Sequence, residues 1–165
     1  MIIRELEKNI KSILAGQHKI IVLYGARQVG KTTLVEKVIR DFQGKILRVN
    51  ADEQLYNETL SSRDFSRLEG MVEGYDLLFI DEAQRIADIG INLKILYDKN
   101  SGLKIIVTGS SSLDLANRVN EPLTGRLYTN ILYPVSVPEW QKYSSINNFE
   151  TAIFLPFGNR YRVQN

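Results

Sequence analysis

Lys19-Ile-Ile-Val-Leu-Tyr24 runs directly into Gly25-Ala-Arg-Gln-Val-Gly-Lys-Thr32. An apolar, β-branched run followed by G-x-x-x-x-G-K-T reads as a buried strand, a tight loop and the start of a helix. The spacing has a mechanical reason. Gly25 and Gly30 let the backbone wrap so that its N–H groups converge on an anion, and the helix opening near Lys31 adds its positive end. Phosphate oxygens fit that cradle. Gly25, Ala26, Arg27, Gln28, Val29, Gly30, Lys31, Thr32 and Thr33 are therefore the expected nucleotide-binding residues. Lys31 would reach the β and γ phosphates, and the Thr32 hydroxyl would ligate Mg²⁺. Arg27 either contacts phosphate or a neighbour, or stands in solvent.

Further apolar runs follow at intervals suited to alternating helices and strands. Leu6, Ile10, Ile13 and Leu14 fall on one helical face, which predicts a helix over 3–15 ending at Gly16. Strands are expected at 19–24, 45–49, 76–80, 103–107 and 127–132. Helices are expected after the phosphate loop (Leu34, Val35, Val38, Ile39 and Phe42 inward), over 90–99 (Leu93, Leu96 and Tyr97 inward) and over 112–119, with short helices in 52–73. Such alternation implies an α/β fold with a parallel sheet covered on both faces.

The third strand ends Leu77-Leu-Phe-Ile-Asp81-Glu82, which puts two carboxylates at the sheet edge where the phosphate loop opens. Asp81 is expected to hold Mg²⁺ through water, and Glu82 to polarise the water that attacks the γ phosphate. The alternative is that either acid caps the next helix. The fourth strand ends Thr108-Gly-Ser-Ser-Ser112. Thr108, Ser110 and Ser111 are candidates to sense the γ phosphate, while Ser111 and Ser112 also suit a helix N-cap. Asn50 either restrains Glu82 or is a turn residue. Arg126 can stabilise the transferring phosphoryl group, in cis or from a neighbouring subunit, or it forms a surface ion pair. Arg118 is a weaker candidate for that role.

Composition narrows the setting. The chain has 165 residues, 44% hydrophobic and 24% charged, which suffices for one domain with a real core. A net charge of +2 supplies no global field for nucleic acid. Arg160-Tyr-Arg162 is the one basic-aromatic cluster and reads as a frayed terminus. There is no cysteine, which rules out disulfides and thiolate metal sites. No apolar run is long enough to span a bilayer and the N-terminus lacks a signal-peptide pattern, so a cytoplasmic protein is expected. His18, the single histidine, lies in a polar stretch and reads as a solvated loop residue.

Taken together, Tyr24-Gly-Ala-Arg-Gln-Val-Gly-Lys-Thr-Thr-Leu34, Phe79-Ile-Asp-Glu-Ala-Gln-Arg85, Ile106-Val-Thr-Gly-Ser-Ser-Ser112, Leu123-Thr-Gly-Arg126 and Tyr133-Pro-Val-Ser136 resemble the AAA+ superfamily of P-loop ATPases. They are most similar to a family of predicted bacterial and archaeal ATPases with a AAA-type core and a second conserved domain. The resemblance covers roughly 20–140. It implies a three-layer α/β/α sandwich on a five-stranded parallel sheet in the order 5-1-4-3-2. It also implies ATP or ADP with Mg²⁺, Walker A roles for Lys31 and Thr32, and Walker B roles for Asp81 and Glu82. Ser110 or a neighbour would be the sensor 1 residue. Asn50 would restrain the catalytic Glu82, and Arg126 would be an arginine finger acting on the next copy in a homo-oligomer. Residues 1–140 would form the ATP-binding core and 141–165 the start of a truncated C-terminal region, whose opening 149–158 resembles, without the usual helical lid.

Three functions compete on these grounds: an ATP hydrolase coupled to an unknown partner, a nucleotide-holding switch with little turnover, and a DNA-associated loader-type ATPase. A small-molecule kinase fits less well, for want of an acceptor pocket or an Arg-rich lid.

Overall fold

The computed structural model describes residues 6–110, 122–136 and 139. The expected helix over 112–119, Ser111, Ser112, Arg118 and everything from residue 140 onward, the proposed 140/141 boundary and Arg160-Tyr-Arg162 included, lie outside the described residues.

Helix α1 (Leu6–Gly16) leads into β1 (Ile20–Tyr24), the phosphate loop and α2 (Lys31–Ile39). Strand β2 (Ile46–Asn50) follows. A 3₁₀ turn (Gln54–Tyr56) and two short helices, α3 (Asn57–Leu60) and α4 (Phe65–Val72), then lead to β3 (Leu77–Asp81). A second 3₁₀ turn (Ala83–Arg85), α5 (Ile89–Lys99), β4 (Lys104–Gly109) and β5 (Leu127–Ile131) complete the described chain. The strands lie within one or two residues of the sequence expectation. Helix α2 stops earlier than expected, at Ile39. Phe42 sits beyond its end, where its N–H donates to the Ile39 carbonyl (3.1 Å) and its ring packs on the core under α1 and α2.

All pairings are parallel and the sheet order is β2-β3-β4-β1-β5, the expected 5-1-4-3-2. Side chains alternate across each strand, so β1 feeds two cores. Ile20, Val22 and Tyr24 join the core shared with α3, α4 and α5, whereas Ile21 and Leu23 join the one shared with α1 and α2. This double covering is why β1 is buried along its whole length. The edge strand β2 keeps the half-buried alternation of Leu47 and Val49 inward, Arg48 and Asn50 outward.

Because every strand runs the same way, all carboxyl ends share one edge. The register pairs Tyr24 with Gly109, Leu23 with Thr108, and Asn50 with Asp81. The phosphate loop, the acids after β3 and the hydroxyls of β4 therefore emerge side by side.

Candidate functional site

The loop after β1 is shaped by its glycines. A side chain at Gly25 would run into the carbonyl oxygen of Leu132, whose own N–H donates to the Tyr24 carbonyl at 2.7 Å. Gly30 has open space around it but sits at φ 93°, ψ 28°, a left-handed conformation that favours glycine. It turns the chain into α2, whose first residue is Lys31. Val29 is tucked against the α1–α2 core, while Ala26, Arg27 and Gln28 are exposed. Tyr24, just ahead of the loop, is buried; burial pushes its hydroxyl up to about 12.

Lys31 is 4% exposed. Its Nζ donates to the carbonyls of Gly25 (3.0 Å) and Ala26 (2.9 Å). An ammonium has three protons, so these bonds aim the side chain back over its own loop and leave one proton for an anion. Thr32, the next residue, faces the third strand. Its Oγ1 donates to Asp81 Oδ2 at 2.7 Å.

Asp81 is the hub of the site. Besides Thr32, its carboxylate accepts the buried Thr108 hydroxyl and the Glu82 N–H (3.2 Å), both on Oδ1. Three donors from three segments fix it. Neither Asp81 nor Glu82 acts as a side-chain helix cap: the following 3₁₀ turn has no side-chain cap bond. Glu82 adopts φ 54°, ψ 39°, a left-handed conformation that costs a non-glycine residue on the order of 1 kcal/mol. That turn folds the chain back at the end of β3.

The turn delivers a residue to which the sequence reading gave no role. Gln84 Nε2 donates to Glu82 Oε2 and to Ser110 Oγ (3.0 Å), and Gln84 Oε1 accepts the Ser110 N–H (3.3 Å). Gln84 thus ties the acid after β3 to the hydroxyl after β4. The one signal for it in the sequence was a polar residue between Ala83 and Ile86, both of which are buried. Of the two described sensor candidates, Thr108 holds Asp81 and Ser110 belongs to the Glu82 network.

Lys31, Thr32, Asp81, Glu82, Thr108 and Ser110 are thus brought together. Asn50 lies beside Asp81 in register, but its Oδ1 accepts the Asp52 N–H (3.0 Å), a local turn contact. The partner of Glu82 is Gln84. Arg126 is elsewhere. Its carbonyl accepts the Ile20 N–H and it precedes Leu127, which pairs with Ile20, so it stands at the amino edge of the sheet. Six residues of strand rise separate that level from Gly25, about 20 Å. There Arg126 forms a two-pronged pair with Asp98 (Nε–Oδ1 2.8 Å, Nη2–Oδ2 3.2 Å) and lies over the Tyr97 ring at 5.8 Å. His18 stacks on the same ring, centroids 4.1 Å apart, and its carbonyl accepts the Tyr97 hydroxyl (2.7 Å). His18 is therefore a half-buried packing residue and not the solvated one expected, because a ring 79 positions away covers it.

The donor set at Thr32 and Asp81 consists of hard oxygens, one hydroxyl and one carboxylate. That suits Mg²⁺, which takes one or two carboxylates and keeps several waters. Among the described residues no group of three or more His, Cys, Asp or Glu forms a denser metal cage.

Comparison with known proteins agrees with this geometry. The family described as AAA domain matches residues 17–141. The uncharacterized protein MJ1544 of Methanocaldococcus jannaschii is 30% identical over 133 residues, covering 79% of this chain and 30% of that protein. Solved structures share the fold, two of them as follows. The Walker-type ATPase PABY2304 of Pyrococcus abyssi superposes with a TM-score of 0.61 at 18% identity, covering 92% of this chain and 61% of that one. The Thermotoga maritima RuvB Holliday junction branch migration motor gives 0.56 at 21%, covering 86% and 49%. The chain spans less than a third of the length of the curated relatives it matches.

Proposed function

The chain belongs to the AAA domain family, and from that premise we propose that it binds ATP with Mg²⁺ and hydrolyses it to ADP and phosphate, coupled to a partner. The observation that carries this reading is the Asp81 carboxylate, bonded at once to Thr32 of the phosphate loop and to Thr108 of β4, with Glu82 beside it. Binding alone requires no second acid.

In this reading the loop N–H groups and the start of α2 receive the phosphates, and the remaining Lys31 proton meets the β and γ oxygens. Mg²⁺, held by Thr32 Oγ1 and through water by Asp81, would neutralise charge on those oxygens. Glu82 takes a proton from the attacking water as its oxygen bonds to the γ phosphorus. The bond to the β–γ bridging oxygen breaks, ADP leaves with the electron pair, and Glu82 passes the proton to phosphate. Residues 1–140 would form this core, with 141–165 opening a C-terminal region.

Arg126 stands too far from its own phosphate loop to act in cis. We assign it to the nucleotide of a neighbouring copy, which makes turnover depend on assembly. Its bonds to Asp98 support a second reading, a nucleotide-holding switch with little turnover until that pair is exchanged. A DNA-linked role draws on likeness to RuvB and to the replication factor C large subunit of Sulfurisphaera tokodaii, and the net charge of +2 lends it no support. Among the described residues no helix is long and apolar enough to cross a membrane; with no cysteine in the chain, we assign it to the cytoplasm.

The deciding experiment is Mg²⁺-ATP turnover against protein concentration, with Glu82→Gln as the blank. Specific activity that rises with concentration supports an assembling ATPase. No turnover above the blank, with ADP still bound, selects the switch.

A further inference from the structure

We propose that Gln84 is a positioning residue that couples the γ phosphate, felt at Ser110, to the orientation of Glu82. The proposal rests on the hydrolytic reading of the site and names how that site is controlled.

The amide of Gln84 is fully committed. Both Nε2 protons are donated, one to Glu82 Oε2 and one to Ser110 Oγ, and Oε1 accepts the Ser110 N–H. Its orientation is fixed by chemistry. The Ser110 N–H demands an acceptor and the Glu82 carboxylate demands a donor, so the oxygen faces β4 and the nitrogen faces Glu82. A carboxylate at position 84 would repel Glu82, and an ammonium would offer Ser110 N–H no acceptor. The neutral amide alone satisfies all three groups.

The backbone beneath it is anchored. Ala83 and Ile86 are buried, the Arg85 N–H donates to the Glu82 carbonyl (3.1 Å), and the Arg85 side chain pairs with Asp52 in the turn after β2. The amide therefore has little freedom except to follow its partners. On one side, Glu82 keeps Oε1 for water while Oε2 is held. On the other, Ser110 Oγ accepts from Gln84, so its own proton is free to donate. The register sets Gly109 beside Tyr24, which brings Ser110 out of the sheet level with the first glycine of the phosphate loop. A γ phosphate that accepts the Ser110 proton strengthens the Gln84–Ser110 bond, because a hydroxyl that donates becomes a better acceptor. The amide is thereby locked, and Glu82 with it. ADP lacks the group that does this.

The test uses Gln84→Ala, Gln84→Glu, Ser110→Ala and the Gln84→Ala/Ser110→Ala double variant, with two readouts. In Mg²⁺-ATP turnover, Gln84→Ala is expected to lower kcat by about tenfold to 100-fold while KM rises only in step with the loss of analogue affinity and ADP affinity holds, a pattern that general loosening of the fold would not give. Gln84→Glu, which keeps the size and loses the donors, is expected to be at least as impaired. In equilibrium binding, the affinity ratio of β,γ-imido-ATP to ADP is expected to fall about threefold to tenfold in either single alanine variant, and no further in the double. Wild-type kcat and an unchanged ratio in Gln84→Ala would overturn the proposal, as would additive losses in the double variant. If the wild-type chain binds nucleotide without turning it over, the hydrolytic reading fails. The binding ratio still decides the coupling: non-additive losses uphold it and additive or absent ones reject it.

Discussion

Thr108→Val isolates the contact on which the site turns. Thr108 is fully buried on β4 and its hydroxyl donates to Asp81 Oδ1. Valine keeps the β-branched shape that a strand interior accepts and removes only the donor. A hydrogen bond to a charged acceptor contributes about 1.5–3 kcal/mol, and burying a methyl in place of a hydroxyl returns about 0.8 kcal/mol. The net loss is about 1–2 kcal/mol, or about 2–8 °C in Tm for a chain of this size. Thermal melting without nucleotide measures it, and a cycle with Asp81→Asn assigns it. A coupling energy of about 1 kcal/mol or more is expected between the two positions. Asp81 would also lose its one fully buried donor, so Mg²⁺-ATP affinity should fall about threefold to tenfold while Mg²⁺-free ADP affinity holds. A Tm within about 1 °C of wild type, with additive cycle energies, would refute the idea that Thr108 holds Asp81.

Lys31→Met should weaken ADP binding at least about 100-fold by calorimetry, since it removes a charge-assisted contact to phosphate; unchanged affinity would sink the phosphate-loop assignment. Arg126→Ala should abolish the rise of specific activity with protein concentration seen by steady-state assay. A chain that stays monomeric in ultracentrifugation yet turns over ATP normally would remove its role across subunits. Away from the site, Lys37 first, then Lys11, holds the Glu7 carboxyl below its ordinary value of 4.5, against the opposing effect of burial. A depressed carboxyl stabilises the fold above its unfolded pKa and loses that contribution as pH falls through the folded one. Lys37→Met should therefore cost about 1 kcal/mol at pH 7, a difference from wild type that shrinks in urea melts as pH drops below about 4.5.

What the sequence disclosed was whatever a contiguous segment encodes. The apolar run into Gly25, the glycines at 25 and 30, and the four apolar residues before Asp81 each carry their own local physics, and each stands where expected. The strand order came with the family resemblance, because periodicity says which segments are strands and not which are neighbours. What was misread or left open shares one cause. His18 is polar and loop-borne, yet it stacks on Tyr97 of α5. Asn50 stood open between restraining Glu82 and a turn, and the turn with Asp52 claims its carbonyl oxygen. The choice between Thr108 and Ser110 could not be made from residue type, since both offer a hydroxyl at the end of β4. Only the pairing of β3 with β4 separates them, with one facing Asp81 and the other facing Gln84.

Gln84 shows why such a residue escapes sequence reasoning. Its role depends on Glu82 entering a left-handed conformation, which no residue type at 82 announces, and on a partner 26 positions away. Arg126 is the converse case. Its place before β5 was readable, but its use was not. The parallel sheet that gathers Lys31, Asp81, Glu82 and Ser110 on the carboxyl edge also puts Arg126 at the opposite one, paired with Asp98. One fold thus sends the two halves of the proposed catalytic set to opposite ends of the strands. A single copy cannot bring them together by moving a side chain, because an arginine reaches about 7 Å and the strands hold the edges about 20 Å apart. If Arg126 serves hydrolysis at all, the reaction belongs to a pair of chains, and the Arg126–Asp98 bond is what the second chain must displace.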